Sequence, residues 1–158
     1  MAGYYDLGAH RLPVTTRSPE GQLWFDRGLL WCYGFNHGEA VRCFRRALES
    51  DPDCAMAYWG IAHALGPNYN KPWDAFDEAE FKSVLSEAHE ASSKAVALLD
   101  GVTEMERAII RTLPFRYPPP CRAPTPPDGS KITPQKCARS TNDSLTIPTF
   151  ARSLPNPS

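Results

Sequence analysis

A spacing of 34 residues between two similar apolar stretches constrains the fold of this chain most. Each stretch carries an aromatic residue, a small residue and a large apolar residue at the spacing of one helix face. The two sets are Trp24, Gly28 and Trp31, and Tyr58, Ala62 and Leu65. Repetition at this period is typical of a solenoid whose repeats are pairs of antiparallel helices.

Local signals predict the two helices of the first repeat. A Ser-Pro-Glu start and the glycine after Tyr33 predict a helix from Ser18 to about Tyr33. Asn36, with Glu39 three residues later, resembles a capping box that opens the partner helix. The next proline in the chain ends this partner helix near Ser50.

The second repeat is longer than the first. Its first helix, from about Cys54 to Leu65, is apolar on nearly all sides, as expected of a helix between two neighbours. The pattern of the second helix recurs only after 48 positions. The corresponding residues are Ala40, Phe44 and Ala47, and Ala88, Ser92 and Ala95. We therefore predict a long connection after Leu65 and a displaced helix over residues 78–99, capped by Asp77.

A third repeat begins but is not completed. Thr103 and Glu106 form a capping box for a further helix, and a proline soon follows. Because no partner helix is predicted, Ile109, Ile110 and Leu113 should form an exposed apolar stripe. Such a stripe favours marginal stability and self-association.

With these motifs the chain resembles tetratricopeptide repeat (TPR) proteins. The family signature is W-x2-L-G-x2-Y…A-x3-F…P. The matching residues are Trp24, Gly28, Trp31, Ala40, Phe44, Ala47 and Pro52, with Arg27 where leucine is expected. The resemblance implies an all-α solenoid of about two and a half helical hairpins. Residues 4–117 also look similar to fungal and bacterial TPR proteins that have no assigned activity and continue into further repeats.

The resemblance implies a concave groove lined by the first helix of each repeat. The first-helix residues not used for packing are Gln22, Phe25, Leu29, Tyr33, Trp59 and His63. They would hold an extended or helical segment of a partner protein. TPR domains that clamp a C-terminal carboxylate use lysine, arginine and asparagine there, so chaperone-tail binding is not expected. Trp24 and Trp31 are interpreted as core, whereas Trp59 fits either core or groove.

The connection from Gly66 to Trp73 is a second candidate site, because it combines two asparagines, two prolines and two aromatic residues. In a structural interpretation, the asparagines satisfy backbone groups while the aromatic rings seal the gap. In a functional interpretation, the connection forms a pocket. The walls of that pocket would be Tyr33, Trp59, Asn68, Tyr69 and Asn70.

Charge and proline content divide the chain. Residues 1–113 carry 11 basic and 16 acidic side chains, whereas residues 114–158 carry 6 and 2 together with 11 of the 16 prolines. We predict an extended lead-in over residues 1–17, the helical domain over 18–117 and a disordered, proline-rich tail over 118–158. The chain could also be a truncated form of a longer repeat protein.

Several functional classes are not supported by the sequence. No signal peptide or apolar run of membrane-spanning length is present, which favours a cytoplasmic protein. The cysteines and histidines fit no common metal site, and no cofactor is expected. The acidic balance of the helical part argues against a nucleic-acid partner. Known catalytic motifs are absent, so the protein is not expected to be an enzyme.

The sequence therefore favours a scaffold or adaptor that binds a protein partner. Two alternatives stay open. One is a small-molecule-binding or enzymatic domain centred on residues 66–73, and the other is a fragment without independent function.

Overall fold

The predicted all-helical class is confirmed by the structure, a computed structural model that describes residues 4–68, 70–72 and 75–117. The helices are α1 (Pro19–Tyr33), α2 (His37–Ser50), α3 (Ala55–Leu65), α4 (Glu78–Ala97), a 3-10 turn (Leu99–Gly101), α5 (Glu104–Ile110) and α6 (Leu113–Arg116). None of the helices in these ranges has the length and apolar character needed to cross a bilayer. The tail predicted over 118–158 lies outside the described residues.

The helices start where the sequence predicts, because the cap side chains accept hydrogen bonds from the backbone three residues later. The caps are Ser18, Asn36, Asp77 and Thr103. Thr103 and Glu106 complete the capping box in both directions. The box at Asn36 is only half formed, since Glu39 instead accepts a hydrogen bond from the Tyr4 hydroxyl at 2.9 Å.

The aromatic ring of Phe44 lies between two glycines and packs the first three helices together. Gly21 near the start of α1 lies by Ala47 near the end of α2, so these helices are antiparallel. Phe44 of α2 is fully buried, and a Cβ atom placed on Gly28 of α1 or on Gly60 of α3 would lie 2.6 Å from its Cε1 atom. The ring therefore occupies the space that a side chain on either neighbouring helix would need.

Residues at equivalent positions of the repeated pattern are buried to a similar degree. The small residues Gly28 and Ala62 are buried, while the four larger residues of the two sets are partly buried. The second-helix positions 40, 44 and 47, and their counterparts 88, 92 and 95, are all buried. Ser92 thus occupies in α4 the position that Phe44 holds in α2. α4 ends at Ala97, two residues earlier than predicted, and continues into the 3-10 turn.

The exposed apolar stripe predicted on the last helix is wrong for two of its three members. Ile110 and Leu113 are buried, and Ile109 is partly buried against the core. The chain turns after α5, since Pro114 cannot donate a backbone hydrogen bond and its ring would clash with the carbonyl of Ile110 in a continuous helix. The turn lets α6 pack on α4, with Tyr117 fully buried. The surface on which self-association was predicted is therefore mostly covered.

The two tryptophans assigned to the core are half-buried and pack against its edge. Trp31 donates a hydrogen bond from Nε1 to the Tyr4 hydroxyl at 2.7 Å, and the Tyr4 ring packs edge-on against Trp24 at 5.1 Å. The guanidinium of Arg27 lies 4.4 Å from the Tyr4 ring centre and 4.5 Å from that of Trp24. This stacking explains why arginine is compatible with a position where the TPR pattern has leucine.

Candidate functional site

Three of the residues assigned to a concave groove are buried. Phe25 is fully buried between α1 and α2, 5.6 Å from the ring centre of Phe44, and Leu29 belongs to the same core. Gln22 is only 6% exposed. The groove assignment is therefore wrong for these three side chains, because α1 turns this face towards the rest of the protein.

Gln22 binds the protein's own N-terminal segment. Its side-chain Oε1 accepts from the N–H of Val14 at 3.0 Å, and its Nε2 donates to the carbonyl of Leu12 at 2.9 Å. One turn further along α1, Asp26 accepts from the N–H of Leu12 at 3.0 Å. The lead-in, which we define as residues 4–17, is thus held as an extended peptide by two buried side chains.

Two more buried carboxylates hold the end of the lead-in. Glu106 accepts from the backbone N–H and the hydroxyl of Thr15, both at 2.6 Å. Asp51 accepts from the hydroxyl of Thr16 at 2.6 Å and from the N–H of Arg17 at 2.7 Å. Burial alone would raise the pKa of both carboxyls, but these hydrogen bonds outweigh it and leave each pKa below its usual value.

Trp59 and His63 form a stacked pair on α3. Their ring centres are 4.9 Å apart with an angle of 11° between the planes, and both side chains are partly buried. Burial lowers the pKa of His63, and the positive charge of Arg116 lowers it further. A neutral imidazole on an indole face is thus favoured here. Tyr33, the remaining groove candidate, is 71% exposed at the end of α1.

The asparagine connection is organised by backbone contacts. The Asn68 side-chain oxygen accepts from the N–H groups of Asn70 at 2.9 Å and Lys71 at 3.1 Å, and residues 68 and 71 also exchange backbone hydrogen bonds. This arrangement agrees with the structural interpretation for Asn68. Asn70 is exposed, and Tyr69 and Trp73 lie outside the described residues.

The role of Asn68 can be tested with its neighbour as a control. We expect Asn68→Ala to lower the free energy of unfolding by about 1 kcal/mol, because the N–H of Asn70 loses its acceptor and the N–H of Lys71 keeps only the backbone carbonyl of residue 68. Asn70→Ala should leave stability unchanged within about 0.5 kcal/mol, since the side chain is exposed. Urea unfolding followed by circular dichroism measures both changes. Equal effects of the two substitutions would contradict the assigned turn.

A cleft opens where the α1–α2 turn faces the connection after α3. We call it the turn-end cleft, and its volume is about 660 Å³. Its lining residues are Phe35, Asn36, His37, Gly38, Val41, Arg42, Arg45, Ala64, Leu65, Gly66, Asn68, Lys71, Phe76, Glu80 and Val84. Of the sequence candidates that the structure describes, Asn68 alone lies in this wall. Tyr33, Trp59 and Asn70 do not line it, and Tyr69, the remaining wall residue predicted for the pocket, lies outside the described residues.

Phe35 is the most unusual residue of the turn-end cleft. Its φ angle is +59°, and its side chain is 62% exposed. Gly34 beside it has an ordinary negative φ, although glycine is the residue that normally takes the left-handed position after a helix. The sequence signal was the order Gly-Phe, which places an aromatic residue one position beyond the helix-ending glycine.

His37, two residues after Phe35, is the first residue of α2. Within the described part of the chain, neither of its ring nitrogens has a hydrogen-bond partner, and both are shielded from solvent. Its ring meets the Phe35 ring edge-on at 6.4 Å. A buried polar group without a partner is costly, so a histidine here is poorly explained by packing alone.

Three cationic side chains line the cleft together with Phe35 and His37, and each of the three also contacts a carboxylate. Arg42 pairs with Glu39 at 3.0 Å, Arg45 pairs with Glu87, and Lys71 pairs with Glu80. α2 carries three arginines, at positions 42, 45 and 46. That two of them line a cleft could not be predicted from α2 alone, because the opposite wall comes from later residues, namely Ala64, Leu65, Gly66, Asn68, Lys71, Phe76, Glu80 and Val84.

The cysteines of the helical part are buried. Cys32, Cys43 and Cys54 are free thiols, and burial raises the pKa of Cys32 and of Cys54 to about 11. In residues 4–68, 70–72 and 75–117, no group of three histidine, cysteine or acidic side chains is arranged to hold a metal ion. These thiols are therefore poor nucleophiles in the folded protein.

Comparison of the chain with protein-family models, with curated proteins and with solved structures finds no match. The resemblance to TPR proteins thus depends on the spacing and packing of the residues described above. The chemistry of the turn-end cleft is the remaining guide to function.

Proposed function

We propose that this protein is an interaction adaptor of TPR-like architecture that holds a segment of a partner protein in the turn-end cleft. In this proposal, α1 with α2 and α3 with α4 are two helical hairpins, and α5 begins a third. The repeat spacing and the matching burial of its positions support the architecture. The buried free thiols suit a reducing compartment such as the cytoplasm.

One observation carries the functional part of the proposal, namely the exposed Phe35 in a left-handed backbone conformation. A non-glycine residue in that conformation costs about 1–2 kcal/mol, and exposing an aromatic ring adds no stability. Strained residues of this kind concentrate at binding sites. An exposed aromatic ring that lines a cleft with both apolar and polar walls is suited to packing against a partner.

The binding surface differs from the concave groove expected of the family. Gln22, Phe25 and Leu29 are buried, so a partner on α1 would have to displace core contacts. The turn-end cleft needs no such displacement. Tyr33, two residues before Phe35, adds a second exposed ring at this end of the molecule. Partner residues there would therefore meet two aromatic side chains.

An enzyme or small-molecule receptor centred on residues 66–73 has weaker support. The oxygen of Asn68 is already occupied by two backbone N–H groups. A catalytic or ligand-binding role for this side chain would require the turn to open.

The adaptor proposal predicts opposite effects of Phe35→Gly on stability and on binding. Glycine relieves the left-handed strain, so the free energy of unfolding should rise by about 1 kcal/mol. Partner capture should be lost, because the exposed ring is removed. Capture is measured in cell extract with a photo-cross-linking amino acid in place of Tyr33, in otherwise native and Phe35→Gly proteins.

The control places the same cross-linker in place of Phe115, which is 87% exposed and does not line the turn-end cleft. Discrete adducts from position 33 that disappear with Phe35→Gly are the expected result. Adducts that persist unchanged in Phe35→Gly, or that form equally from position 115, would rule out this surface as the binding site.

A further inference from the structure

Most of the buried polar side chains bind one segment of the chain. Five polar or charged residues are buried in the part of the chain that the structure describes, and every one except Ser92 accepts a hydrogen bond from the lead-in. The four are Gln22, Asp26, Asp51 and Glu106, which are between 1% and 8% exposed. A buried polar group is costly unless it is hydrogen-bonded, so these four acceptors define a surface suited to a peptide.

The main chain of the lead-in supplies much of the contact. The side-chain amide of Gln22 accepts from the N–H of Val14 and donates to the carbonyl of Leu12, as the peptide group of a neighbouring strand would. Asp26 accepts from the N–H of Leu12. Hydrogen bonds to the main chain hold extended peptides on many binding surfaces. They do not depend on how the segment is joined to α1, so a separate segment in the same conformation can form them.

Side chains of the lead-in add a sequence preference. Leu12 and Val14 pack against the core, while Pro13 between them is exposed, as expected of an extended chain with one face on the protein. The hydroxyls of Thr15 and Thr16 donate to two of the buried carboxylates, each at 2.6 Å. A residue without a hydroxyl would leave a carboxylate short of a donor. The recognised pattern is therefore two apolar residues separated by one position and followed by two hydroxyl residues.

The lead-in can leave this surface without moving a helix. Residues 4–17 form no helix or strand, and the outer side of the segment, including Arg11, Pro13 and Arg17, is exposed. The four acceptors beneath it are polar, so water can satisfy them when it leaves. Because the segment continues directly into α1 at Ser18, its effective concentration at the surface is on the order of millimolar. A partner segment must therefore compete with it.

We propose that this surface, which we call the lead-in seat, is a second binding site for a partner protein and that the lead-in is its built-in competitor. The seat consists of the four buried acceptors and the apolar surface under Leu12 and Val14. Its partner segment is extended and carries two apolar residues one position apart, followed by two threonines or serines. The seat shares no residue with the turn-end cleft, so this proposal is independent of the function assigned to that cleft.

The test uses the full chain and a fluorescent peptide of residues 4–17 with both ends blocked. Thr15→Val combined with Thr16→Val in the chain weakens the hold on its own lead-in. The peptide, whose threonines are native, should bind this variant at least about tenfold more tightly than it binds the native chain. Fluorescence anisotropy measures both affinities. Equal affinity for the two chains would overturn the competition.

Leu12→Ala combined with Val14→Ala loosens the lead-in through its apolar contacts and leaves its hydrogen bonds in place. This second variant should bind the peptide about threefold or more tightly than the native chain does. Circular dichroism shows whether each variant is folded. Unfolding of both variants would show that the lead-in is an integral part of the fold and would overturn the proposal, as would folded variants that bind no peptide.

Changes in the peptide test the sequence preference. In the chain with Thr15→Val and Thr16→Val, a peptide carrying the same two changes should bind at least about tenfold more weakly than the native peptide. A peptide with Thr15→Ser and Thr16→Ser keeps both hydroxyls, so its affinity should stay within about threefold of the native peptide. Equal binding of the valine and serine peptides would overturn the assigned role of the hydroxyls.

Gln22→Met locates the bound peptide, because methionine keeps the length of the side chain and forms neither main-chain hydrogen bond. Added to the chain with Leu12→Ala and Val14→Ala, it should weaken peptide binding about tenfold. Lys82→Gln, a change at an exposed residue of α4, should alter binding less than about twofold. Unchanged binding after Gln22→Met would place the peptide elsewhere and overturn the seat.

A second copy of the chain carries the same lead-in and is the alternative occupant. Sedimentation of the native chain should show a monomer, because each lead-in fills the seat of its own chain. A photo-cross-linking amino acid in place of Pro13 should then form adducts within one chain only. A stable dimer with cross-links from position 13 of one copy to α1 of the other would assign the seat to exchange between copies and overturn the partner proposal.

Discussion

Gly60→Ala is expected to destabilise the protein by about 1–3 kcal/mol, although alanine is the better helix former. The added Cβ would lie 2.6 Å from Cε1 of Phe44. The ring of Phe44 cannot move away easily, because Gly28 of α1 lies equally close to it. Urea unfolding followed by circular dichroism gives the change in the free energy of unfolding.

Gly38→Ala is the matched control, since a Cβ atom on Gly38 would meet no atom within 4 Å. This substitution should be neutral or should stabilise the protein by up to about 1 kcal/mol. In a Phe44→Leu background the cost of Gly60→Ala should decrease, with a coupling energy on the order of 1 kcal/mol. Additive effects of the two substitutions would show that Phe44 and Gly60 are not in close contact.

Glu106→Gln is expected to lower the free energy of unfolding by about 2–4 kcal/mol. The carboxylate accepts several hydrogen bonds, whereas an amide has one oxygen that accepts and one nitrogen that can only donate. Glu106 is only 1% exposed. It accepts from the N–H and hydroxyl groups of both Thr15 and Thr103. An amide places its NH₂ group against some of these donors.

Glu104→Gln is the control for this prediction. Glu104 lies on the same first turn of α5 but is 80% exposed in its pair with Arg107. Its replacement should therefore change stability by less than about 1 kcal/mol. A loss for Glu104→Gln as large as that for Glu106→Gln would show that helix-end charge, and not the link to Thr15, explains the effect.

The stabilisation by Glu106 should also depend on pH. Its pKa is lowered in the folded protein, so the stabilisation is complete well above the pKa of the unfolded carboxyl, about 4.3. It decreases as the pH falls below that value and is lost once the pH is below the folded pKa. The stability difference between the native protein and Glu106→Gln should therefore shrink in acid. A difference that stays constant down to pH values where the protein unfolds would contradict the lowered pKa.

The helix boundaries of the first repeat could be predicted closely because local chemistry sets them. Ser18 and Asn36 cap helices through contacts made within three residues, which makes their signals readable without the fold. The displaced second repeat was predictable for a similar reason. The spacing of small residues in α4 survives the insertion before it, and the corresponding positions are buried.

The face of α1 that is buried could not be predicted, because α1 is apolar on several sides. Trp24, Phe25, Leu29 and Trp31 are all large, so periodicity does not say which of them faces the core. The TPR pattern predicts the tryptophans as core residues, whereas in the structure Phe25 and Leu29 are the buried side chains. The burial of the polar residue Gln22 could not be predicted from its neighbours in sequence, because it depends on hydrogen bonds to the backbone of the lead-in.

The sequence by itself determined the helices, their caps, the repeat spacing and the small residues that let neighbouring helices approach. These features depend on contacts within one turn of helix or on side-chain size, and both can be read from the order of residues. Only the tertiary structure decided which face of α1 is covered and where a cleft opens. Those outcomes depend on contacts between residues far apart in the chain, such as Thr15 with Glu106, and on the approach of the end of α3 and the start of α4 to the α1–α2 turn.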